Sequence, residues 1–380
     1  MSRTIYPALI IGAGASGLFA GSILGRQALI LEKNQIPGKK LLLTGGGRCN
    51  YTHSASVPEL LPHYNANQNH IKKILYRLPP SEIIRYFRSI GIEESIEDGG
   101  KVFPRHGDAS SISAALASKC NIAYGVNAER ITEEDGIFTV EAGSGKYYGQ
   151  NIIIATGCSA YPQTGSEGKA LGILKSLGHD CTGFTAALAP LELERKLSDA
   201  EGVTLDISIK MGKKIADGSA VITRKGISGP VAQNISYLLS EKKDIEIRFC
   251  NITKNELMSN SGKMQVKNAI ALPPRLLSSL LGPISQKRIG DLTRNEIDTA
   301  IRELTAFRTK ARAIKEAGMT CYGGALLSGF NLNTMESKSI KGLYAAGDIL
   351  EPSADCGGYS LTFAFATAYI AAVSIAEQLE

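Results

Sequence analysis

The sequence contains no tryptophan, only five histidines and no pair of cysteines in a CxxC spacing. Its cysteines are scattered, so neither a disulfide framework nor a zinc site is predicted. An odd number of cysteines without a secretory signal is typical of a reducing cytoplasm, which is the location that we expect. The seven are Cys49, Cys120, Cys158, Cys181, Cys250, Cys321 and Cys356.

Long apolar runs and long basic runs are also missing. The most apolar long segment, 361–376, spans about 16 residues and includes Thr, Tyr and Ser, whereas a membrane-spanning helix needs about 20. We therefore predict a buried helix and no membrane association. No run of five Lys or Arg occurs, and the net charge of +6 is small for 380 residues. That balance suits anionic ligands such as phosphates, and no nucleic-acid partner is expected.

Glycine, in contrast, is abundant, with 40 residues that fall in clusters. Such clusters mark places where the backbone turns tightly or lies close to a ligand. The first cluster, GAGASG at 12–17, follows a short apolar run at 6–11 and opens a predicted helix. A second buried strand at 28–32 completes a βαβ unit. This context matches the G-x-G-x-x-G pattern of dinucleotide-binding turns.

Each position of this turn has a physical reason. Gly12 permits the turn, Gly14 lets the backbone approach a pyrophosphate, and Gly17 lets the helix pack on the strand. The helix N-terminus offers free N–H groups and a positive dipole end to phosphates. Glu32, at the end of the second strand, is placed to accept hydrogen bonds from a ribose diol. A glycine-rich turn without a ligand is the alternative, but strand, helix and acid together favour a dinucleotide.

A second block, TGGGRCN at 44–50, combines three glycines with a basic residue. Successive glycines can form a concave nest of N–H groups that binds anions, and Arg48 adds a fork of donors for phosphate or carboxylate. The alternative is a flexible surface loop. Cys49 has no partner cysteine nearby in sequence, so a packing or backbone role is favoured over a redox role.

Two further blocks follow predicted strands. IIIATG at 152–157 presents backbone at the carboxyl edge of a parallel sheet, where ligands bind in open α/β folds. Gly347 and Asp348 follow another strand, which places a carboxylate where ribitol hydroxyls could bind. Glycines at 357–358 then open the last helix, whose N-terminus could point at the N1/C2=O edge of a flavin. For this last block, an ordinary strand–loop–helix is the alternative.

The pattern along the chain predicts an α/β cofactor domain that is assembled from both ends of the sequence. A hairpin is predicted from 137–141 and 146–148, with a separate buried strand at 151–155. Beyond Pro190, alternating segments such as 204–210 indicate half-exposed antiparallel strands. Residues 253–305 have helical spacing, and a glycine-rich buried texture returns from Met319. The middle of the chain is therefore predicted to be an inserted domain.

These blocks, in this order, resemble the BaiN-like family of FAD-dependent oxidoreductases, which includes NAD(P)/FAD-dependent and aminoacetone oxidase-type flavoproteins. The resemblance covers essentially the whole chain. The segments that carry it are GAGASG at 12–17, KKLLLTGGGRCN at 39–50, KVFPRHGDASSI at 101–112, IIIATG and SAYPQTGSEG within 152–168, GISGP at 226–230, CYGGA at 321–325, and TMESKSIKGLYAAGDIL and CGGYSLTFAFA within 334–366.

The resemblance implies a Rossmann-like FAD domain of the two-dinucleotide-binding type at 1–189 and 319–380. It further implies an inserted antiparallel β-barrel domain at 190–252 and 306–318, which carries a helical subdomain at 253–305. No metal is implied. The residues that the motifs assign to FAD are Gly12, Gly14, Ala15, Ser16, Gly17, Glu32, Lys33, Lys40, Thr44, Gly45, Arg48, Cys49, Asn50, Ala128, Ala155, Thr156, Gly157, Gly347, Asp348, Gly358, Tyr359, Ser360 and Leu361.

Three residues depart from the family pattern at positions that face or approach the flavin. Ser360 stands where the family commonly has Asn, and Phe363 stands where it has Trp. Cys158 replaces a second glycine after Thr-Gly. These departures concern the preference for substrate or electron acceptor rather than the binding of FAD.

The implied function is flavin-mediated transfer of a hydride or electron pair to or from a small molecule, with NAD(P)H or oxygen as second partner. No second G-x-G-x-x-G is present, so a nicotinamide would bind transiently across the flavin face. Tyr161, Arg48, Tyr359 and Ser360 are candidates near the ring, while His106 is interpreted as a surface-loop histidine. Two alternatives stay open: FAD-dependent tRNA modification, which a pI near 8.8 permits, and flavin binding without catalysis.

Overall fold

The computed structural model describes residues 4–379, so residues 1–3 and 380 of the predicted FAD domain lie outside it. The chain forms two compact units. The first contains the residues up to Thr185 together with those from Thr320 onward, and the second is Ala186–Met319. The observed boundaries differ from the predicted 189/190 and 318/319 by four residues and one residue. Each unit has its own hydrophobic core.

The strands are numbered in chain order and include several that are only three residues long. They are β1 (Ile5–Ile11), β2 (Ala28–Glu32), β3 (Thr52–His53), β4 (Glu94–Glu97), β5 (Lys101–Pro104), β6 (Ile122–Tyr124), β7 (Ala128–Glu134), β8 (Ile137–Ala142), β9 (Gly145–Ile154), β10 (Thr185–Ala187), β11 (Leu191–Leu193), β12 (Thr204–Met211), β13 (Lys214–Thr223), β14 (Gly226–Ser228), β15 (Lys243–Arg248), β16 (Phe307–Ala313), β17 (Thr320–Tyr322) and β18 (Leu343–Ala345).

The α-helices range from single turns to one helix of 21 residues. They are α1 (Ala15–Leu24), α2 (Val57–Leu60), α3 (Gln68–Arg77), α4 (Pro80–Ser89), α5 (Ala109–Ala117), α6 (Ala170–Ser176), α7 (Pro230–Ile235), α8 (Lys254–Met258), α9 (Val266–Ala269), α10 (Pro274–Leu281), α11 (Arg294–Thr305) and α12 (Tyr359–Leu379).

A seven-stranded sheet organises the first unit. Its order is β6-β2-β1-β9-β8-β7, and β18 also pairs with β9. β6, β2, β1, β9 and β18 run parallel. The end of β1 is a continuous buried run, Ala8–Ile11, which is typical of a parallel strand that is covered on both faces. Because the strands are parallel, the loops after β1, β2, β9 and β18 emerge at one carboxyl edge.

β9 is a single ten-residue strand, although the sequence predicted two separate strands in this region. Along one edge it pairs with β8 in antiparallel register at 145–149 and then with β18 in parallel register at 152–154. Gly149 lies at the change of partner, and a Cβ there would come within 2.8 Å of the Leu9 side chain. The glycine therefore allows β1 to approach without interrupting the strand.

The second unit contains the predicted antiparallel barrel, which confirms the fold class. The barrel is closed, in the order β11-β14-β13-β12-β15-β16. β16 alternates strictly between buried and exposed residues, as a barrel wall with one face in the core requires. The segment predicted to be helical holds α8–α11, and α8 and α11 both begin with capping boxes, Thr253 with Glu256 and Thr293 with Glu296.

α12 is the apolar helix expected at the end of the sequence, and it packs against α1. It is the one helix among residues 4–379 that is long and apolar enough to cross a membrane, and 72% of its apolar window is buried inside the protein. Burial of this kind is typical of a core helix. Within the same described range, no group of three or more His, Cys, Asp or Glu side chains could hold a metal ion.

Candidate cofactor site

The glycine turn after β1 has a different steric reason for each of its three glycines. Gly12 has φ of +98°, and a Cβ there would lie 3.0 Å from the carbonyl oxygen of Ala155. A Cβ on Gly17 would lie 1.8 Å from the carbonyl oxygen of Gly12. A Cβ on Gly14 would meet no protein atom within 4 Å. The first two glycines are therefore required by the fold, whereas Gly14 borders open space.

The N-terminus of α1 is available to an anion. Gly14 is its N-cap residue and supplies no side-chain hydrogen bond to the first turn, which begins at Ala15. The first N–H groups of a helix lack partners within the helix, and they attract phosphate together with the helix dipole. Ser16 in this turn is buried and faces Gly347 in the loop after β18, where a Cβ would overlap its hydroxyl oxygen.

Glu32 ties the glycine turn to the end of β2. Its Oε2 accepts a hydrogen bond from the Ala13 N–H at 2.7 Å, and its Oε1 accepts from the N–H and side-chain amide of Asn34 at 2.7 and 2.6 Å. The side chain is 6% exposed. A carboxylate has about four acceptor positions, so one is left for a ribose hydroxyl. The predicted contact with ribose thus remains a prediction, and the structure adds a positioning role.

A cleft of about 420 Å³ lies beside this strand end. Lys33 borders it and forms an ion pair with Glu167 at 3.5 Å. Ala128, predicted to lie near adenine, is the first residue of β7 and directly follows Asn127 of the cleft wall. The cleft is lined by Lys33, Asn34, Asn127, Pro162, Gln163, Gly165, Glu167 and Lys169.

The TGGGRCN loop turns sharply and is held by its own side chains. Gly45 and Gly46 have φ of 58° and 67°, and Cys49 also has a positive φ of 61°. Thr44 Oγ1 donates to the Leu41 carbonyl at 2.6 Å. A Cβ on Gly45 would lie 2.7 Å from the backbone nitrogen of Asn50. Glycine is therefore required in this loop by the turn itself.

Two side chains of this loop have partners within the protein, and a third is buried. Arg48 is more than half exposed, donates to Glu97 at 2.8 Å and lies over the Phe103 ring at 4.0 Å. Asn50 Oδ1 accepts from the Val102 N–H at 3.2 Å. Cys49 is fully buried, and burial raises the pKa of its thiol to about 12. The cysteine packs inside the loop, and contacts of these residues with a cofactor remain predictions.

The loops after β9 and β18 meet around a partly buried ion pair that the motifs did not reveal. Lys40 Nζ donates to Asp348 Oδ2 at 2.8 Å, and Thr320 Oγ1 donates to the same oxygen at 3.2 Å. Cys158 Sγ lies 3.4 Å from Lys40 Nζ and 3.9 Å from Asp348 Oδ2. Burial lowers the pKa of Lys40, but Asp348, Cys158 and Cys321 more than compensate and raise it, so Lys40 is charged.

Two hydroxyl groups at the same edge have no partner in the described chain. Thr156 Oγ1, after β9 and between Ala155 and Gly157, is buried without a hydrogen bond, and so is Ser360 Oγ in the first turn of α12. Buried polar groups are nearly always satisfied. Both hydroxyls lie in segments that the sequence assigns to FAD. A bound dinucleotide would supply the missing hydrogen bonds to these hydroxyls. It would also fit the open space at Gly14 and the helix α1, which has no side-chain cap.

The start of α12 presents an aromatic stack. Gly358 has φ of +89°, and a Cβ there would lie 2.6 Å from the Thr52 carbonyl oxygen. The Tyr359 ring stacks on the rings of His53 and His63, and its centroid lies 5.2 Å from the first and 4.4 Å from the second. His63 Nδ1 contacts Asp355 Oδ2 at 2.9 Å. Sequence reasoning identified Tyr359 but missed both histidines.

Other predicted residues have less defined surroundings. Leu361 is half-buried in α12, Tyr161 has φ of 55° in the loop after β9, and His106 is exposed. The exposed position of His106 agrees with its interpretation as a loop histidine. None of the three is among the described hydrogen-bond partners of Lys40 or Asp348.

Comparison with known proteins identifies the family to which this site belongs. The family model for the HI0933-like protein Rossmann domain matches residues 6–374. A 3-dehydro-bile acid delta(4,6)-reductase of Clostridium scindens is 27% identical, over 97% of this chain and 98% of its own length. A ribosomal RNA dihydrouridine synthase of Haemophilus influenzae is 27% identical with the same two shares.

A solved structure, an open conformation of a flavocytochrome c3 fumarate reductase, superposes with a TM-score of 0.55. The two proteins are 15% identical, and the match covers 99% of this chain and 78% of the other. At this identity the superposition shows only that the two proteins share a fold. The family model, which matches nearly the whole chain, shows the family. The chain belongs to the HI0933-like family, and it is an FAD-dependent oxidoreductase of the BaiN-like type.

Proposed function

We propose that the enzyme reduces a carbon–carbon double bond conjugated to a carbonyl group in a small molecule, with NAD(P)H as electron donor. One observation carries this proposal: two full-length relatives with dissimilar substrates bear names that describe the same bond change. A delta(4,6)-reductase of a 3-dehydro bile acid and a dihydrouridine synthase both add hydrogen across a double bond conjugated with a carbonyl. A site inherited from their common ancestor is expected to act on the same arrangement of bonds.

FAD, when bound, supplies hydride transfer, and the protein supplies position and electrostatics. Gly14 and the first turn of α1 would hold the pyrophosphate, and Glu32 the adenosine ribose. Thr156, Asp348 and Ser360 would hold the flavin half. Their arrangement along one sheet edge supports a cofactor that extends from the end of β2 to the start of α12.

Saturation of a conjugated double bond also needs a proton. His63 is the best-placed group to deliver one, since Nδ1–H donates to Asp355 and leaves Nε2 free to exchange a proton. Its ring stacks on Tyr359 in a segment that the sequence assigns to the flavin edge. His63 is 39% exposed at its side chain, so a substrate can reach it.

The test is anaerobic mixing of the FAD-loaded protein with NADH or NADPH, followed by a panel of acceptors. We expect bleaching of the flavin by one nicotinamide and rapid return of its colour with cyclic enones, whose products gain two hydrogens by mass spectrometry. Saturated ketones of the same skeleton serve as the matched control. Equal rates of reoxidation with enones and saturated ketones would refute the proposal.

His63→Gln provides a separate check on the proton donor. The variant should bleach with nicotinamide at the wild-type rate but reduce enones about 100-fold more slowly, the lower end for general acid catalysis. His106→Gln, at an exposed loop position, should match the wild type in both steps. Slow bleaching in His63→Gln would instead indicate a role in binding the donor.

The H. influenzae relative favours a second candidate, in which the double bond belongs to a uracil ring within RNA. The same protein would then restore its flavin colour with uridine-containing ribosomal RNA and not with free enones. Dihydrouridine content, measured by mass spectrometry of digested RNA with and without the enzyme, distinguishes this substrate from a small molecule. Salt sensitivity of the reaction would support contacts with the phosphate backbone.

A further inference from the structure

Two buried thiols from distant parts of the sequence meet in the first unit. Cys158 lies just after β9, and Cys321 lies in β17. Together with Ala160 they form a small buried cluster, in which Cys158 is 0% and Cys321 is 5% exposed. Ser159 Oγ lies 3.4 Å from Cys321 Sγ. The proposed function uses neither thiol.

The surroundings shift the pKa values of the two thiols in opposite directions. A hydrogen bond from Cys321 lowers the pKa of Cys158, burial opposes that effect, and the Lys40 ammonium group at 3.4 Å reinforces it. The net pKa of Cys158 is well below its ordinary value, and the same hydrogen bond together with burial raises the pKa of Cys321. Cys158 is therefore the thiol of the pair that loses its proton more readily, although the Asp348 carboxylate opposes this, and a cysteine with a lowered pKa beside a second thiol is typical of reactive cysteine pairs.

The other five cysteines differ from Cys158 in this respect. Burial raises the pKa of every one of them. None has a lysine ammonium group as close as the 3.4 Å contact of Cys158 among the hydrogen bonds described for residues 4–379. These five are Cys49, Cys120, Cys181, Cys250 and Cys356.

The pair lies at the edge where the flavin half of the cofactor is expected. Cys158 follows Thr156 and Gly157 directly, and its sulfur is 3.9 Å from Asp348 Oδ2. The unpartnered hydroxyl of Thr156 is two residues away. The thiols therefore adjoin residues on both loops that would contact the ribitol and the ring.

We propose that Cys158 and Cys321 form a dithiol centre that exchanges two electrons with the bound flavin. On oxidation, the Cys158 thiolate and the Cys321 thiol form an S–S bond, and the S–H bond of Cys321 breaks. The electron pair and that proton pass to the oxidised flavin, which becomes the singly protonated reduced form, so atoms and charge balance. In the reverse direction, reduced flavin cleaves the disulfide and restores the thiolate and thiol.

The first measurement counts electrons. Full-length protein with FAD is oxidised with diamide, freed of reagent and titrated anaerobically with dithionite while flavin absorbance is followed. The wild type should take four electrons per flavin, because a disulfide and a flavin each accept two. Cys158→Ser and Cys321→Ser should take two, and the matched control Cys181→Ser should take four.

The second measurement follows the sulfurs themselves. Denaturing alkylation and peptide mass mapping should find Cys158 linked to Cys321 in the oxidised protein and both alkylated after reduction. In FAD-free protein the same brief dithionite treatment should leave the linkage intact, because the proposal requires that electrons reach the two buried sulfurs through the flavin. Cys158→Gly, which restores the family residue, replaces the serine variant if the latter loses FAD.

Several results would overturn the proposal. Uptake of only two electrons by the oxidised wild type would do so, as would failure to find the linked peptide. Equal reduction of the linkage with and without FAD would exclude exchange with the flavin. These readouts need no substrate, so they are independent of whether enones or RNA bases are reduced.

Discussion

On the β1–β2 side of the sheet edge, the candidate site is made mostly of backbone. Gly12, Gly14 and Gly17 lie within six residues, and Glu32 joins them through the Ala13 N–H. On the β9–β18 side it is made of side chains from remote segments. Lys40 and Asp348 are separated by 308 positions, and Cys158 and Lys40 by 118.

The difference lies in what each side must do. Phosphates are recognised by N–H groups and a helix dipole, which any sequence with the right glycines can present. A redox ring is tuned by charge and by hydrogen bonds, which need specific side chains in fixed positions. The backbone side is therefore expected to be tolerant except at its glycines, and the side-chain side is expected to lose stability when single partners are removed.

The largest effect is expected on the backbone side, from Gly17→Ala. Its new Cβ would overlap the Gly12 carbonyl oxygen, so we expect a loss of about 3 kcal/mol in the free energy of unfolding. Gly14→Ala, whose Cβ meets nothing, should stay within about 0.5 kcal/mol. It should nevertheless lower FAD affinity by at least about tenfold. Chemical denaturation and FAD titration measure both; equal instability of the two variants would contradict this account.

Asp348→Ala tests the side-chain side. It leaves the Lys40 ammonium group, whose side chain is 23% exposed, without its carboxylate partner, and we expect a loss of about 2 kcal/mol in unfolding free energy. The double variant Lys40→Met with Asp348→Leu should recover most of it, because neither charge of the ion pair then remains. Glu141→Ala removes an exposed ion pair with Lys146 and should change little. A double variant as unstable as the single one would show that packing, not charge, dominates.

Thr156→Val and Ser360→Ala separate cofactor binding from stability. Neither removes a hydrogen bond within the protein, so the apoprotein should be as stable as the wild type. Each should weaken FAD binding by up to about tenfold, the value of one hydrogen bond. Thr362→Val is the matched control, since Thr362 Oγ1 contacts Thr52 Oγ1 at 2.8 Å. That variant should be destabilised, and the reverse pattern would place the cofactor elsewhere.

The smallest effect is expected from Arg48→Gln. Its ion pair with Glu97 is exposed, and exposed pairs contribute roughly 0–1 kcal/mol. The unfolding free energy should therefore barely change. FAD affinity, measured by fluorescence titration, should fall if Arg48 turns towards the cofactor as the sequence predicts. Unchanged affinity would assign the residue to the surface of its loop.

Local pattern was sufficient for the parts of the molecule that local forces determine. The glycine turn, β2 and the start of α12 follow from short runs of glycine and apolar residues, and the antiparallel strands of the second unit follow from alternation. Their closure into a barrel was implied by the family resemblance. The Lys40–Asp348 pair, the two thiols and the His63 stack have no such signal, because long-range packing brings them together. Glu32 was found by its spacing, but only its contact with the ribose was predicted. Its hydrogen bond from the Ala13 N–H depends on the folded turn and has no signal in the sequence.

The pairing of β18 with β9 also has a consequence for biosynthesis. β9 ends at Ile154 and β18 begins at Leu343, so 188 residues are synthesised between the two strands. At ribosomal rates this interval is about 10 to 40 seconds. During this interval the inserted unit, which has its own core, has time to fold. Residues Ile152–Ile154 meanwhile lack the strand, β18, with which they pair in the folded protein. We therefore expect a nascent chain to capture its flavin only after the last strand and helix have left the ribosome.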